Sequence, residues 1–287
     1  MTRVARLASR RRSTAAFVVV AAVALGVTAN ASREATRRAF DDRAALAFVR
    51  AQVALGERPA GSAASRRLAV MLRARVPNGR YQAVPGGLRN VIGTVRGRDA
   101  RRVIVVGAHY DTKDLRGFVG ANDGASGTAV VLQLARTIRP RELRPTIVFA
   151  LFDGEESPSD SGDFYANALR GSKVAARAFR HAESMILLDM VGDRALAIPR
   201  ERSSNRALWA KLRAAARRKN KLYAFPNRTT SIVLDDHTPF QRAGVPAIDV
   251  IDFDFACWHQ SCDDLNAVSA RSLDAVGETV LELLRSL

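Results

Sequence analysis

Histidine and carboxylate residues stand directly after four apolar runs of this 287-residue sequence, and a glycine-rich turn carries one more carboxylate. The candidates are His109, Asp111, Asp153, Glu155, Glu156, Asp189, Asp249, Asp252 and His259, with Asp123 in the turn 120–127. The carboxyl ends of parallel strands meet at one sheet edge, where crowded carboxylates raise each other's pKa values unless a cation lies among them. Histidine nitrogen and carboxylate oxygen without thiolate form the ligand set of a hydrolytic or Lewis-acid zinc site, and the pattern predicts such a site.

Each of these residues also has an ordinary structural interpretation. Asp123 could cap a helix, Asp189 could close a turn, and His259 could be a hydrogen-bonded loop histidine. Five such coincidences at one sheet edge are improbable, so the joint pattern favours metal chemistry. Neighbouring side chains at a strand end point to opposite sides, so either Glu155 or Glu156 can hold metal while the other moves a proton.

The elements that must position these residues alternate between strand and helix. Apolar runs predict buried strands at 90–95, 102–108, 146–152, 185–190 and 247–251. Helical periodicity predicts helices at 41–55, 62–76, 125–138, 164–180, 205–219 and 269–287. This alternation indicates an α/β fold, a three-layer αβα sandwich with a mostly parallel central sheet in a single domain.

The first 31 residues predict an export segment. Five arginines precede an apolar stretch at 15–29, and Ala29-Asn30-Ala31 places small residues at a cleavage site. The stretch is shorter than the roughly 20 residues of a membrane span, so a cleaved signal peptide is favoured over an N-terminal anchor. Residues 32–287 would then form the catalytic domain of an exported protein, secreted or in the cell envelope, with any membrane contact made through 15–29.

Composition narrows the possible partners. The net charge is +17, but the basic residues are spread along the chain and aromatic residues make up only 6% of it. We therefore expect no nucleic-acid partner, and we expect a monomer. Cys257 and Cys262 predict a local disulfide in an exported protein, with two unpaired small hydrophobic residues as the alternative.

Six ordered motifs resemble the zinc aminopeptidase and glutaminyl cyclase clan. They are GAHYDTK (107–113), GANDGASG (120–127), FDGEE (152–156), LLDMVG (187–192), DDHTPF (235–240) and WHQSCDD (258–264). The resemblance runs from about Arg58 to the chain end. It implies a phosphorylase/hydrolase-like fold, zinc as the cofactor, and peptide or protein N-termini as substrates.

The cyclase branch of this clan implies one zinc and three groups of residues around it. The zinc ligands would be Asp123, Glu156 and His259. Glu155 would move the proton, with Asp189 and Asp235 hydrogen-bonding around it, and Trp258 would line the substrate pocket. Core packing is the alternative for Trp258.

The aminopeptidase branch implies two zincs and hydrolysis of the first peptide bond. His109 and Asp189 would hold the second zinc and Asp123 would bridge the two ions. Glu155 would be the general base for the attacking water, and Asp111 would fix the imidazole of His109.

Different features favour the two branches. Trp258 before His259, the doubled Asp235-Asp236, Lys113, the run 243–254 and the 14 residues at 157–170 resemble cyclases. The motif GANDGASG and the cysteine pair resemble secreted aminopeptidases. We expect a glutaminyl-peptide cyclotransferase, with a two-zinc metalloaminopeptidase as the alternative and a catalytically inactive exported binding protein as a remote one.

Overall fold

A computed structural model describes residues 1–2, 38–159 and 161–287. The basic and apolar regions of the predicted export segment lie outside the described residues. Within the described part of the chain, no helix is long and apolar enough to cross a membrane. Phe40–Leu287 form one compact unit.

The strands form a single six-stranded sheet in the spatial order β1-β2-β4-β3-β5-β6. Along the chain they are β1 (Arg80–Val84), β2 (Leu88–Val95), β3 (Asp99–His109), β4 (Pro145–Phe152), β5 (Ser184–Asp189) and β6 (Ala247–Ile251). Strands β4, β3, β5 and β6 are parallel, whereas β2 pairs antiparallel with β4, and β1 with β2. The prediction of a mostly parallel sheet is confirmed.

Helices cover both faces of this sheet. They are α1 (Asp42–Val53), α2 (Ala63–Arg75), α3 (Ala125–Thr137), α4 (Phe164–Asn167), α5 (Arg170–Ala178), α6 (Arg206–Arg218), α7 (His237–Arg242) and α8 (Ala270–Ser286). One face packs against α1, α2, α3, α6 and α8, and the other against α5 and α7. The predicted αβα sandwich is therefore confirmed.

Two elements differ from the sequence-based expectation. Strand β1 was not predicted, because an edge strand with a single buried residue carries no apolar run. The single helix predicted at 164–180 is divided into α4 and α5, and Leu169 between them has a left-handed φ of 55°. The break has a structural use, since the backbone N–H groups of Leu169 and Arg170 donate to the carbonyls of Glu155 and Gly154.

The parallel strands bring the predicted residues to one edge. The last residue of β3, His109, pairs with Phe152 at the end of β4, and Asp189 pairs with Ile251 at the end of β6. Helix α3 approaches this edge closely because Gly127 has no side chain; a Cβ there would lie 2.1 Å from the carbonyl oxygen of Leu188. The turn that precedes α3 is thereby placed beside the end of β5.

Candidate metal centre

Two groups of metal-binding side chains share Asp123 at the carboxyl edge of the sheet. In one, Nε2 of His259 lies 3.2 Å from Oε1 of Glu156 and 3.5 Å from Oδ2 of Asp123. In the other, Nε2 of His109 lies 3.2 Å from Oδ1 of Asp123 and 3.1 Å from Oδ1 of Asp189. The two oxygens of Asp123 thus face two different histidines.

These separations fit a zinc ion. Four ligands about 2.0–2.1 Å from a tetrahedral ion lie roughly 3.3 Å from one another. The measured N–O separations of 3.1, 3.2, 3.2 and 3.5 Å are close to that value. Each group offers three nitrogen or oxygen ligands, which is the number that catalytic zinc sites use while leaving one position for substrate.

A buried carboxylate fixes the turn that carries Asp123. Asp263 accepts hydrogen bonds from the backbone N–H groups of Asn122 (2.7 Å) and Asp123 (3.0 Å). Gly124 continues the turn at φ 85°, where a Cβ would lie 2.6 Å from the carbonyl oxygen of Asp111. The position of Asp123 therefore depends on its backbone contacts as well as on any metal ion.

Arg58 is fully buried and holds the start of the same turn. Its Nη1 donates to the carbonyls of Val119 (2.8 Å), Gly56 (2.9 Å) and Gln52 (3.3 Å), and its Nη2 donates to the carbonyl of Gly120 (3.2 Å). The guanidinium thus joins the residues before α2 to the glycine-rich turn. Its role was missed from the sequence, where Arg58 marked only the start of the resemblance.

We expect Arg58→Gln to lower the free energy of unfolding by about 3 kcal/mol. One side-chain amide cannot reach all four carbonyls, and each buried group left without a partner costs roughly 1–3 kcal/mol. Urea denaturation measures the change. Arg66→Gln is the matched control, since Arg66 is exposed and donates to a single carbonyl, that of Gly61; it should change stability by no more than about 0.5 kcal/mol. Equal effects of the two variants would contradict the role given to Arg58.

Asp111 holds the loop after β4. Its Oδ1 and Oδ2 accept from the backbone N–H groups of Glu155 and Glu156, each at 3.2 Å. Its nearest approach to His109 is 3.7 Å, from Oδ1 to Nδ1, which is too long for a hydrogen bond. Asp111 therefore fixes the two adjacent glutamates directly, whereas its expected hold on the imidazole of His109 is a weaker electrostatic contact.

The carboxyl groups of this edge are crowded and poorly solvated. Burial, reinforced by the charge of Asp123, raises the pKa of Glu156 to about 7. Burial and the charge of Glu156 raise the pKa of Glu155 well above its ordinary value, and burial does the same for Asp235. Such a cluster must retain protons or share a cation, as the sequence pattern predicts.

A pocket of about 320 Å³ opens beside the group of Asp123, Glu156 and His259. The polar part of its lining is Glu155, Glu156, Asp189, Asp235 and His259, and the apolar part is Phe164, Val233, Leu234, Ile251, Phe253 and Trp258. Ionisable groups and an apolar wall thus face one small volume. Phe164 and Phe253 lie in the segments 157–170 and 243–254, which resemble cyclases, but neither was predicted as a pocket residue.

Trp258 forms part of the wall of this pocket. Its ring is stacked on that of His259, with centroids 4.4 Å apart and planes inclined by 27°. It is 43% exposed, so it is not packed in the core. Cys257 and Cys262 are joined by a disulfide bond, and Trp258 and His259 lie in the short loop that it closes.

Three further candidate acids, which also lie outside the pocket lining, make other contacts. Asp153 accepts from the hydroxyl of Ser65 and the backbone N–H of Arg89, and Asp252 accepts from the backbone N–H of Ala197. The third, Asp249, is fully buried, with Oδ2 3.5 Å from Nδ1 of His237. In turn, Nε2 of His237 is 3.0 Å from the hydroxyl of Ser203. The motif DDHTPF, which contains His237, gave no indication of these contacts.

The model of peptidase family M28 matches residues 90–284, which is more than half of the chain. The chain belongs to peptidase family M28. Among solved structures, it is similar to the glutaminyl cyclase of an Acidobacteriales bacterium (28% identity, TM-score 0.77, 88% of this chain and 96% of that one). It is also similar to a Zn-dependent exopeptidase from Parabacteroides distasonis (26% identity, TM-score 0.78, 87% and 99%).

A curated relative also carries the cyclase name. The glutaminyl-peptide cyclotransferase of Bothrops jararaca is 31% identical, and the match covers 64% of this chain and 61% of that protein. The chain therefore spans about three fifths of that relative's length. Family membership and the donor set agree on zinc as the metal of this site.

Proposed function

We propose that this M28 protein is a zinc-dependent glutaminyl-peptide cyclotransferase, which closes the N-terminal glutamine of a peptide into pyroglutamate and releases ammonia. Relatives named glutaminyl cyclase or glutaminyl-peptide cyclotransferase support the proposal. The similar Zn-dependent exopeptidase from Parabacteroides distasonis supports an aminopeptidase as the alternative.

The observation that carries the proposal is the composition of the pocket. Glu155 and six apolar or aromatic side chains line the pocket of about 320 Å³, and the ring of Trp258 is stacked on that of His259. Cyclisation needs the substrate to fold back on itself while water is kept away, because water would compete with the attacking amine. A small apolar-walled pocket favours such an intramolecular reaction.

The residues of the pocket suit the steps of cyclisation. Glu155 would accept a proton from the α-amine, whose nitrogen forms a bond to the side-chain carbonyl carbon of the glutamine. As the bond from that carbon to the amide nitrogen breaks, Glu155 would return the proton and ammonia would leave. Asp189 and Asp235 would hydrogen-bond around Glu155, and Trp258 would pack on the substrate side chain. Zinc held by Asp123, Glu156 and His259 would polarise the carbonyl as a Lewis acid.

The deciding experiment is to incubate the purified protein with a glutamine-initiated peptide and to weigh the product. Loss of one ammonia molecule from an otherwise intact peptide is the expected result. Loss of the whole N-terminal residue would instead establish an aminopeptidase. A leucine-initiated peptide is the control, because it has no side-chain amide and should survive in a cyclase.

One specific observation favours the aminopeptidase as the second candidate. Oδ1 of Asp123 faces His109 while Oδ2 faces His259, which is the arrangement that a carboxylate bridging two zinc ions requires. In that case Glu155 would take the proton from the water that attacks the first peptide bond. The pair His109–Asp189 can also satisfy itself by a direct 3.1 Å hydrogen bond, so its geometry is compatible with either number of ions.

We expect His109→Ala to leave the zinc content unchanged if the protein is a cyclase. The ligands of the proposed single zinc do not include His109. In a two-zinc aminopeptidase the same substitution would lower the content from two ions to one per chain. Metal analysis after dialysis gives the answer. His181→Ala is the matched control, since His181 is exposed and lies outside both groups.

The proposal extends to the location, the oligomeric state and the substrates of the protein. We propose an exported monomer, secreted or held in the cell envelope, that acts on peptide or protein N-termini. The name of the relative supports a peptide substrate, and the disulfide supports export. A catalytically inactive binding protein stays the remote alternative. It would be supported if peptides that begin with glutamine, leucine or alanine bound to the protein and were all recovered unchanged.

A further inference from the structure

A second cleft, which we call the arginine cleft, lies between helix α6 and residues 227–229. Its volume is about 430 Å³, and none of its described lining residues belongs to the pocket of the metal centre. Five of the ten lining residues are arginines, and no acidic residue is among them. Trp209, whose side chain is buried, also lines the cleft.

One face of α6 forms the first wall. Arg206, Arg213 and Arg217 are separated by seven and four residues, so they lie on the same side of the helix, with Ala210 and Ala214 between them. At about 1.5 Å of rise per residue, Arg206 and Arg217 are roughly 16 Å apart along the helix axis. Because the side chains of the two alanines are small, they leave space above the helix surface, with arginine side chains on either side.

The guanidinium groups at the base of the cleft are held in place. Arg213 donates from Nε to the carbonyl of Phe225 and from Nη1 to Oδ1 of Asn227. On the opposite side, Arg200 donates to the carbonyl of Ser204 and to the hydroxyl of Thr229. A guanidinium has five N–H donors, and the contacts of Arg213 use two of them. Groups oriented in this way can bind a ligand with little further loss of conformational entropy.

Within the described residues, one ion pair with an acid outside the lining compensates part of the positive charge of the cleft. Arg228 pairs with Asp254 at 2.8 Å, but the two side chains are 50% and 68% exposed, so the pair is weak. Arg213 and Arg217 are like charges four residues apart on a helix, which repel each other. An anion between them would remove this repulsion.

We propose that the arginine cleft binds a multivalent oxyanion, a molecule that carries two or more phosphate or sulfate groups. Guanidinium forks match the oxygens of such groups, which accept two parallel hydrogen bonds. Arg206 and Arg217 are roughly 16 Å apart along α6, which exceeds the reach of one inorganic ion. A ligand that contacts both arginines must therefore carry several anionic groups. The cavity volume is that of a small-molecule site. This proposal does not depend on the function of the metal centre.

Calorimetric titration of the purified full chain tests the proposal at constant, near-physiological ionic strength. The probes are sucrose octasulfate, for sulfate groups, and inositol hexakisphosphate, for phosphate groups. The test variant is Arg206→Gln with Arg217→Gln. The matched control is Arg67→Gln with Arg136→Gln, which removes the same two charges from exposed positions on α2 and α3.

We expect the wild type and the control to bind the probes equally, and the test variant to bind at least roughly tenfold more weakly, since each lost bond joins two charged groups. Binding of one probe alone would assign the cleft to sulfate or to phosphate ligands. Equal weakening in both double variants would show attraction to the net charge and would overturn the proposal, as would absence of binding to the wild type.

Ala214→Glu provides a second variant with an independent effect. Ala214 is exposed on α6, so glutamate there is compatible with the helix, and its carboxylate would occupy the cleft between the arginines. We expect it to abolish binding of both probes while thermal unfolding stays close to that of the wild type. Unchanged binding in this variant would place the probes elsewhere and overturn the assignment.

Discussion

Glu155→Gln is expected to lower the turnover of a glutamine-initiated peptide by roughly 10²–10⁴-fold, the usual contribution of a general acid–base group. Glutamine has the same shape as glutamate, so the contacts of the buried loop are preserved, but its amide cannot accept the proton of the attacking amine. The zinc content should stay that of the wild type, because the proposed ligands are Asp123, Glu156 and His259. Ammonia release and metal analysis on the same preparation give both quantities.

Glu183→Gln is the matched control for this experiment. Glu183 lies on the surface and pairs with Arg102, so its substitution should leave turnover unchanged. Full activity of Glu155→Gln would contradict its role as proton carrier in both candidate reactions. Loss of zinc from Glu155→Gln, with zinc kept in the control, would make Glu155 a ligand and would require a different proton carrier.

The central part of the fold could be predicted because of how it is buried. Every residue of β4, β5 and β6 is buried, so these strands stand in the sequence as largely apolar runs. Strand β1 and the break between α4 and α5 could not be predicted in this way. The first is an edge strand with a single buried residue, and the second depends on hydrogen bonds to the loop that contains Gly154 and Glu155.

The candidate ligands could be predicted for a similar reason. His109 ends one parallel strand and Asp189 ends its neighbour, so topology alone brings them to one edge. Supporting residues are harder to find. Arg58 and Asp263 act through backbone groups of the turn 120–127, and no spacing in the sequence shows that a side chain is aimed at a distant main-chain carbonyl or amide.

The buried contacts of His237 illustrate the same limit. Sequence proximity suggests that His237 orients Asp235, two residues before it. In the fold, its two ring nitrogens face Asp249 on β6 and Ser203 before α6, both of which are distant in sequence. A carboxylate oxygen of Asp235 lies within 4.8 Å of a ring nitrogen of His237, but no hydrogen bond joins the two side chains. The packing of α7 against the sheet determines which side chains His237 contacts.

His259→Ala is expected to weaken zinc binding by at least roughly 100-fold and to abolish turnover. Loss of a residue that merely supports a ligand already costs about 10–100-fold in metal affinity, so loss of a ligand must cost more. The imidazole lies between Glu156 and Asp123, and its removal leaves two buried carboxylates without their nitrogen partner. Competition with a zinc-sensitive dye measures the affinity.

The comparison with His109→Ala makes this prediction specific. His109 and His259 contact opposite oxygens of Asp123, so both substitutions remove one histidine from the same carboxylate. In a cyclase, only His259→Ala should lose zinc and activity. In a two-zinc aminopeptidase, both variants should lose zinc. If His259→Ala kept its zinc and its turnover, the group of Asp123, Glu156 and His259 could not be the catalytic metal site, because its one nitrogen ligand would have been removed without effect.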